Sequence, residues 1–196
     1  MDIIVIHASP GNGKTTISKK LHERLESPWF EFGWIPEFTK LNPHTRILPK
    51  NEEQLAFENL ILVSKNYIKH GFKNIIFSDL QDIRMLDIPK EFKDFRYIII
   101  TLYSENDEII KTRILTRDNG NSYKNFEASI EINKKILNRP PLPNETRIRS
   151  DNQSVDEIVD QIIDLLKSHQ HDSNFVANHY SKDDYCTYFD EEGQYC

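Results

Sequence analysis

The sequence predicts an α/β fold, in which a parallel sheet of about five strands is covered by helices on both faces. Short apolar runs that fit strands alternate along the chain with longer segments whose apolar residues recur every three or four positions. This alternation is typical of parallel sheets, because each pair of parallel strands needs a crossover connection, usually a helix. Residues 97–102 are almost continuously apolar, as expected of a strand that is covered on both faces.

The first predicted strand and helix are joined by a short segment rich in glycine. Residues 2–7 form the apolar strand, and the helix is predicted from about residue 13 to residue 26, before Pro28. Residues 29–32 are predicted to be a short second strand, followed by a long irregular connection. One face of the helix is apolar and suited to packing on a sheet, with Ile17, Leu21 and Leu25 at positions i, i+4 and i+8.

A second helix and a third strand are predicted next along the chain. Residues 51–54 resemble a capping box, so the helix is expected to begin there and to end just before Gly71. Residues 74–79 are a short β-branched run that is typical of a buried parallel strand, with Asp79 at its carboxyl end. Residues 80–94, which include a proline, are expected to be weakly helical or looped.

The fourth predicted strand is followed by two helices. Residues 97–102 form the strand, and Ser104 is predicted to cap a helix that runs to about Arg117. Residues 118–122 contain glycine, asparagine and serine, which break helices, and the second helix is expected over residues 126–137.

A fifth strand and a final helix complete one predicted domain. Residues 146–149 form the strand, and residues 154–157 are a capping box for an apolar helix. A chain of 196 residues suits one α/β domain, over residues 1–168, with an extension. Residues 169–196 are acidic and polar, which predicts a mobile or loosely docked tail.

Neither a nucleic acid nor a membrane is expected as a partner. Residues 169–196 contribute −5 of the formal net charge of −6, so the rest of the chain is nearly neutral. A near-neutral domain lacks the extended basic surface that nucleic acids require, and a small-molecule substrate is expected instead. No stretch approaches the roughly 18 apolar residues that cross a bilayer, so no membrane partner is expected.

The cysteines indicate a cytoplasmic protein. The two cysteines, Cys186 and Cys196, both lie in the tail, so no disulfide framework holds the domain together. The histidines and cysteines of the tail lack the usual ligand spacing, which argues against a metal site there. A monomer or a homodimer is compatible with these features.

The glycine-rich segment carries the strongest functional signal. Residues 8–15 fit the pattern A/G-x-x-x-x-G-K-S/T between a strand and a helix, which defines a P-loop. Backbone N–H groups and the helix N-terminus bind the phosphates of a nucleotide, while the lysine contributes a positive charge. The pattern therefore predicts ATP and Mg²⁺, with the Thr15 hydroxyl as a metal ligand. The predicted nucleotide-binding residues are Ser9, Pro10, Gly11, Asn12, Gly13, Lys14, Thr15 and Thr16.

Three further charged residues are candidates for phosphoryl transfer. Asp79 ends a predicted buried strand, where ligands of α/β proteins bind, so it is expected to hold Mg²⁺ or to orient the acceptor hydroxyl. Its alternative role is to cap the segment that begins at Leu80. Arg113 and Arg117 are four positions apart on one predicted helix face and would neutralise phosphate charge, or else lie in solvent at the helix end.

The P-loop resembles that of small P-loop kinases, namely the nucleoside-monophosphate, shikimate and gluconate kinases and the chloramphenicol phosphotransferases. The resemblance covers residues 1–168 and implies a three-layer P-loop NTPase fold with a lid at about residues 117–127. It also implies that Asp79 is the magnesium-linked or base carboxylate and that Arg113 and Arg117 are lid arginines. Residues 149–154 resemble the last strand, turn and helix of the family, where the turn lies beside the adenine ring.

The acceptor side departs from this pattern. Residues 28–33 resemble the second-strand region of chloramphenicol phosphotransferases, but the aspartate that follows the strand in those enzymes is missing. Glu37 is the candidate replacement for this catalytic base, with Glu31 as the alternative. The aromatic residues of segment 29–38 either form the wall of a substrate pocket or belong to the core.

The expected function is an ATP-dependent kinase that transfers the γ-phosphoryl group to a small-molecule hydroxyl or phosphate acceptor. A nucleoside-monophosphate kinase is one alternative, for which Arg46 and Arg84 are candidate acceptor-phosphate ligands. An NTP-hydrolysing switch or regulatory ATPase is another, although Leu80 stands where such proteins carry a water-polarising glutamate. A polynucleotide kinase is disfavoured because the chain lacks a basic strand-binding stripe.

Overall fold

Five parallel strands form one sheet in the order β2-β3-β1-β4-β5. The computed structural model describes residues 1–34, 48–80, 82–117 and 123–170. Within these ranges the strands are β1 (Ile3–His7), β2 (Trp29–Glu31), β3 (Ile75–Ser78), β4 (Tyr97–Tyr103) and β5 (Glu145–Arg149). Every strand that the sequence predicts is present, and the parallel arrangement confirms the predicted fold class.

Helices connect these strands. They are α1 (Lys14–Leu25), α2 (Pro49–Lys69), α3 (Asp87–Glu91), α4 (Asp107–Thr116), α5 (Phe126–Asn138) and α6 (Val155–Ser168). Two 3₁₀ turns, Phe32–Trp34 and Asp82–Leu86, follow β2 and β3 respectively. The second turn begins at Asp82. Residue 81 lies outside the described residues, so the alternative role of Asp79 as a cap stays a prediction.

The sheet separates two apolar cores, which makes the fold three-layered. Alternate residues of one strand face opposite sides, so Ile3 and Val5 pack toward α2 and α3, whereas Ile4 and Ile6 pack toward α1 and α6. The central strands are buried on both faces, in agreement with their continuous apolar runs. Because all five strands are parallel, their carboxyl ends lie at one edge of the sheet.

Two predicted helix starts are wrong. The capping box expected at residues 51–54 does not begin α2, which starts at Pro49 without a side-chain cap. Proline has a backbone angle suited to the first helical turn and lacks an N–H group that would be unpaired there. Ser104 does not cap α4 either, because Asn106 accepts a hydrogen bond from the Glu108 N–H at 3.1 Å.

The remaining helix ends follow the sequence closely. Gly71 has a φ of 89° after α2, and the neighbouring N–H groups bond back to Tyr67 and Ile68, as in a Schellman motif. The capping box of Ser154 and Glu157 is present at the start of α6. The predicted connection at 35–47, the break at 118–122 and the tail from residue 171 lie outside the described residues.

Within the described ranges, none of the helices combines the length and the apolar composition that a bilayer crossing demands.

Candidate active site

The P-loop connects the central strand β1 to the N-terminus of α1. Gly11 and Gly13 have φ angles of 89° and 85°, in the left-handed region that favours glycine. Helix α1 begins at Lys14, and within this described segment it has neither a side-chain cap nor an acidic residue in its first turn. The first N–H groups of a helix lack intrahelical partners and carry the positive end of the helix dipole, so this end is suited to an anion.

Gly11 lies directly against α4. A Cβ at this position would be 3.1 Å from Cγ1 of Ile114 and 3.2 Å from the carbonyl oxygen of Ile110. Such distances are shorter than ordinary van der Waals contacts, so a side chain larger than hydrogen would force the loop away from the helix. The structure thus adds a packing requirement for glycine at this position of the P-loop.

Lys14 and Asp79 are brought together at the carboxyl end of the sheet. Lys14 Nζ donates to the Ala8 carbonyl at 2.8 Å and lies 3.6 Å from Asp79 Oδ1. The lysine side chain is 12% exposed and the aspartate side chain 61% exposed. Strand β3 is adjacent to β1 in the sheet, and for this reason the residue after β3 reaches the P-loop.

Asp79 has a φ of 62°, an unusual value for a residue other than glycine. Aspartate tolerates this left-handed conformation better than most residues, but the conformation still has an energetic cost. Residues with such backbone strain are often found at functional sites. The sequence contains no signal for this angle.

The residues around the P-loop fit a magnesium ion. Mg²⁺ is usually held by one or two carboxylates together with phosphates and water. Thr15 is exposed at the start of α1, and Asp79 lies beside the same loop with an exposed carboxylate. The described residues contain no cluster of three or more histidine, cysteine or acidic side chains, so a magnesium ion here would depend on nucleotide phosphates for its other ligands.

The other predicted loop residues differ in exposure. Ser9 and Asn12 are buried, Pro10 is half-buried, and Thr16 is exposed. Asn12 donates from Nδ2 to Ser9 Oγ at 2.8 Å. This hydrogen bond within the loop stabilises the conformation of the loop. Asn12 and Ser9 therefore shape the loop, while Thr15 and Thr16 face outward at the helix start.

A buried polar network extends from Asn12 to three other segments. Asn12 also donates to Oδ1 of Asn133 on α5 at 3.1 Å and accepts a hydrogen bond from Ser150 Oγ, after β5, at 3.2 Å. Asn133 is paired with the backbone of Ser104, the residue after β4. Sequence reasoning missed Asn133 and considered Ser104 only as a helix cap. The available signal was a polar residue on the buried face of α5, where Ser129 and Ile136 share its side.

Arg113 and Arg117 donate to different backbone carbonyls. Arg113 lies in α4 and donates to the Ser150 carbonyl at 2.8 Å, so Ser150 connects it with the P-loop. Arg117 follows the end of α4 in an extended conformation. It donates to the Tyr123 carbonyl at 2.7 Å, and its guanidinium carbon is 5.5 Å from the centroid of the Tyr123 ring. Helix α4 thus ends at Thr116, one residue before the predicted end at about Arg117.

The turn after β5 is fixed by Asp151. Its Oδ2 accepts hydrogen bonds from Ser104 Oγ at 3.1 Å and from the Glu105 N–H at 3.0 Å. Burial raises the pKa of Asp151, but the bonds from Arg149, Ser104 and Glu105 outweigh burial and hold this pKa below its usual value. The carboxylate therefore stays ionised and ties the end of β5 to the end of β4.

On the acceptor side, Trp29 and Glu31 occupy the edge strand β2, and Trp34 lies in the following 3₁₀ turn. Glu37, the predicted base, lies outside the described residues, as does Arg46. Arg84 is buried, donates to Gln54 and is 3.5 Å from Asp87. Its guanidinium is thus occupied by protein groups.

The fold is similar to those of several solved structures. No protein-family model matches the chain, and a search of curated protein sequences returns no significant match. Among solved structures, a sugar kinase from Janibacter sp. HTCC2649 has a TM-score of 0.60 at 16% identity, over 84% of this chain and 94% of that one. The Deinococcus radiodurans tunicamycin resistance protein has a TM-score of 0.58 at 19% identity, also over 84% and 94%.

A gluconokinase from Sinorhizobium meliloti 1021 has a TM-score of 0.56 at 12% identity, over 86% of this chain and 97% of that one. Together these neighbours confirm the predicted fold: the chain has the fold of the small P-loop kinases. At identities this low, the likeness concerns the arrangement of the backbone.

Proposed function

We propose that this protein is an ATP-dependent phosphotransferase that moves the γ-phosphoryl group of ATP to a hydroxyl or phosphate group of a small molecule. The main support is the juxtaposition of Lys14 Nζ, 3.6 Å from Asp79 Oδ1, with the uncapped N-terminus of α1. A positive charge, a carboxylate and a helix end directed at one point are the parts that phosphoryl transfer needs.

Each residue has a distinct proposed role. The loop from Ser9 to Thr16 surrounds the phosphates, and Lys14 exchanges its Ala8 carbonyl for phosphate oxygens. Thr15 and Asp79 hold Mg²⁺, which when bound neutralises phosphate charge. The sequence offers Glu37 or, as the alternative, Glu31 as the acceptor-side base.

Arg113 and Arg117 are proposed to act on the transferred phosphoryl group after rearrangement. Both guanidinium groups hold backbone carbonyls in this structure, Arg113 at Ser150 and Arg117 at Tyr123. Arg117 and Tyr123 flank residues 118–122, which belong to the proposed lid at residues 117–127. If each arginine exchanged its backbone carbonyl for a phosphate oxygen, closure of the lid would be coupled to nucleotide binding.

The two alternatives have weaker support. A nucleoside-monophosphate kinase needs cations for the acceptor phosphate, but Arg84 is engaged with Gln54 and Asp87. A regulatory ATPase needs a residue that polarises water beside Asp79, and the next residue, Leu80, is a buried apolar side chain. The cysteine content and the near-neutral domain favour a cytoplasmic enzyme of small-molecule metabolism.

The decisive experiment measures nucleotide binding and acceptor phosphorylation separately. Titration with Mg²⁺ and a non-hydrolysable ATP analogue should give saturable binding to the wild type and at least tenfold weaker binding to Lys14→Ala. Lys69→Ala, an exposed lysine at the far end of α2, is the matched control and should bind like the wild type. Equal affinity of all three proteins would contradict the proposal.

ATP consumption is then followed with a panel of nucleosides, nucleotides, sugars and alcohols. Acceptor-dependent release of ADP is the expected result and names the acceptor. Steady hydrolysis that no acceptor accelerates would instead favour the regulatory ATPase.

A further inference from the structure

The edge strand β2 directs Trp29 and Glu31 to the face of the sheet that carries α1. These residues are two positions apart, so they project to the same side of the strand. Trp29 packs against the core that contains α1 and donates from Nε1 to Ser78 Oγ at 2.8 Å. Glu31 therefore lies on the same face of the sheet as the helix that follows the P-loop.

Glu31 is also close to the candidate transfer site. It is paired in register with Ser78, the residue immediately before Asp79. Adjacent strands are about 4.8 Å apart and consecutive Cα atoms about 3.8 Å apart, so the Cα atoms of Glu31 and Asp79 lie within about 9 Å of each other. Asp79 in turn lies 3.6 Å from Lys14 Nζ. All three charged groups surround one end of the sheet.

The carboxylate of Glu31 has an unused acceptor. Its Oε1 is buried and has no hydrogen-bond partner among the described residues. Buried polar atoms are nearly always hydrogen-bonded, because a desolvated and unpaired group is costly. A donor brought by the substrate would satisfy this oxygen once the groups that cover it move aside, and an alcohol hydroxyl is such a donor.

Trp34 provides an aromatic surface beside Trp29, which projects from β2 on the same side as Glu31. It is 54% exposed, and its ring centroid is 4.9 Å from that of Trp29, at an interplanar angle of 57°. Trp29 is held in place by its bond to Ser78 and by contact with the His22 ring, 6.0 Å away. An exposed indole that is supported from behind offers a preorganised surface on which a planar ring can stack.

From these observations we infer that the acceptor is a small alcohol that carries a planar aromatic or heteroaromatic ring. This inference rests on the proposed kinase activity and specifies its substrate class. The ring stacks on Trp34, and the hydroxyl donates to Oε1 of Glu31. Glu31 then takes the acceptor-side role that the sequence places on Glu37.

The transfer step follows from this placement. The acceptor oxygen forms a bond to the γ-phosphorus of ATP while the bond from that phosphorus to the β–γ bridging oxygen breaks. The hydroxyl proton passes to the Glu31 carboxylate, and ADP leaves. The products are the phosphorylated alcohol and ADP, and Glu31 later returns the proton to solvent.

Binding can be tested by intrinsic fluorescence, because the chain has two tryptophans, Trp29 and Trp34. Uridine is compared with ribose, which lacks the ring, and 2-phenylethanol with its saturated analogue 2-cyclohexylethanol, in the presence of Mg²⁺ and the ATP analogue. We expect the ring-bearing alcohols to quench emission and the saturated ones to leave it unchanged. Comparison of uridine with 2-phenylethanol shows whether a heteroaromatic or a carbocyclic ring is preferred.

Kinetics of variants at two positions separate the roles of the ring surface and the carboxylate. Trp34→Ala should raise KM for the ring-bearing acceptor at least tenfold, whereas Trp34→Phe should retain KM within about threefold because it keeps an aromatic face. Glu31→Gln should lower kcat by about 10²-fold or more with little change in KM. Leu62→Ala, at an exposed position of α2, and Glu23→Gln, at an exposed position of α1, are the matched controls.

The possible results are distinguishable from failure of the kinase proposal. If the ATP analogue does not bind, the kinase proposal fails and the acceptor inference fails with it. If the analogue binds but saturated alcohols are phosphorylated as well as ring-bearing ones, or none of the panel is phosphorylated, the acceptor inference alone is overturned. Loss of kcat in Glu37→Gln with full kcat in Glu31→Gln would likewise overturn the role of Glu31.

Discussion

The side-chain amide of Asn12 in the P-loop donates a hydrogen bond to Oδ1 of Asn133, at 3.1 Å and across 121 positions of sequence. Asn133 also accepts from the Ser104 N–H at 3.2 Å and donates to the Ser104 carbonyl at 2.8 Å. Both asparagines are buried. One side chain on α5 thus joins the P-loop to the end of β4, and α5 is the helix that follows the proposed lid.

Asn133→Ala should destabilise the protein and weaken nucleotide binding. The variant leaves an N–H of Asn12 and both backbone groups of Ser104 without partners, which is expected to cost about 2–4 kcal/mol of unfolding free energy. Because the P-loop loses its brace, affinity for the ATP analogue should also fall. Urea denaturation and analogue titration measure the two effects. Asn59→Ala, at an exposed position of α2, is the control, and equal stability of both variants would refute this role of Asn133.

Gly11→Ala and Gly71→Ala share a backbone penalty but differ in packing. Both glycines have a φ of 89°, whereas only Gly11 has neighbours within 4 Å of an added Cβ. We expect Gly71→Ala to cost about 1–2 kcal/mol through its left-handed angle, and Gly11→Ala to cost about 1–3 kcal/mol more through contact with α4. Thermal unfolding and analogue titration test this, with binding lost only in Gly11→Ala. Equal destabilisation would show that the contact with Ile110 and Ile114 is unimportant.

Local sequence patterns predicted the elements of the fold well. The continuous apolar run of β4 and the capping box at Ser154 are each properties of a short segment, and both are present. The errors at α2 and α4 arose where several residues could begin a helix and neighbouring contacts decided between them. Pro49 begins α2, and Asn106 caps α4 because Ser104 is engaged with Asp151 and Asn133.

The candidate site was predictable where one motif contains it and not where it joins distant segments. Residues 8–16 are contiguous, so their pattern identified the loop directly. The approach of Asp79 to Lys14 depends on β3 lying next to β1, which the strand–helix alternation does not specify. The partners of Asn133 and the unpaired oxygen of Glu31 depend on packing between elements far apart in sequence, and no local pattern reports them.

Glu145 should make the protein sensitive to acid. Its side chain and that of Arg139 are fully buried, with Nη1 of Arg139 2.7 Å from Oε2 of Glu145. Burial raises the pKa of Glu145, but hydrogen bonds from Arg139, Thr101 and the Leu142 N–H outweigh it and hold this pKa below its usual value. A lowered folded-state pKa adds stability that is complete above the unfolded value of about 4.3 and is lost as the pH falls through the folded-state pKa.

Glu145→Gln should therefore remove part of the loss of stability below about pH 4.3. At pH 7 the same variant should be less stable than the wild type by about 3–5 kcal/mol, because Arg139 is left buried without its counter-ion. Urea denaturation from pH 7 to pH 3 measures both effects. Glu131→Gln, which removes an exposed pair with Lys135, should change stability by no more than about 0.5 kcal/mol and keep the wild-type pH profile. An unchanged acid profile in Glu145→Gln would disprove the assignment.

Asp79 should lower the stability of the fold and be required for phosphoryl transfer. Its φ of 62° is unfavourable for an aspartate, so Asp79→Gly should raise the unfolding free energy by about 0.5–1 kcal/mol while abolishing transfer. Asp79→Asn tolerates the angle and removes the charge beside Lys14, so turnover should fall by about 10²-fold with a smaller change in nucleotide affinity. Glu26→Gly, at another left-handed position with a φ of 48° after α1, should stabilise the fold without changing turnover. Glu26→Gly matches the backbone effect of Asp79→Gly and lies away from the P-loop. Normal turnover in Asp79→Asn would show that Asp79 has only a conformational role.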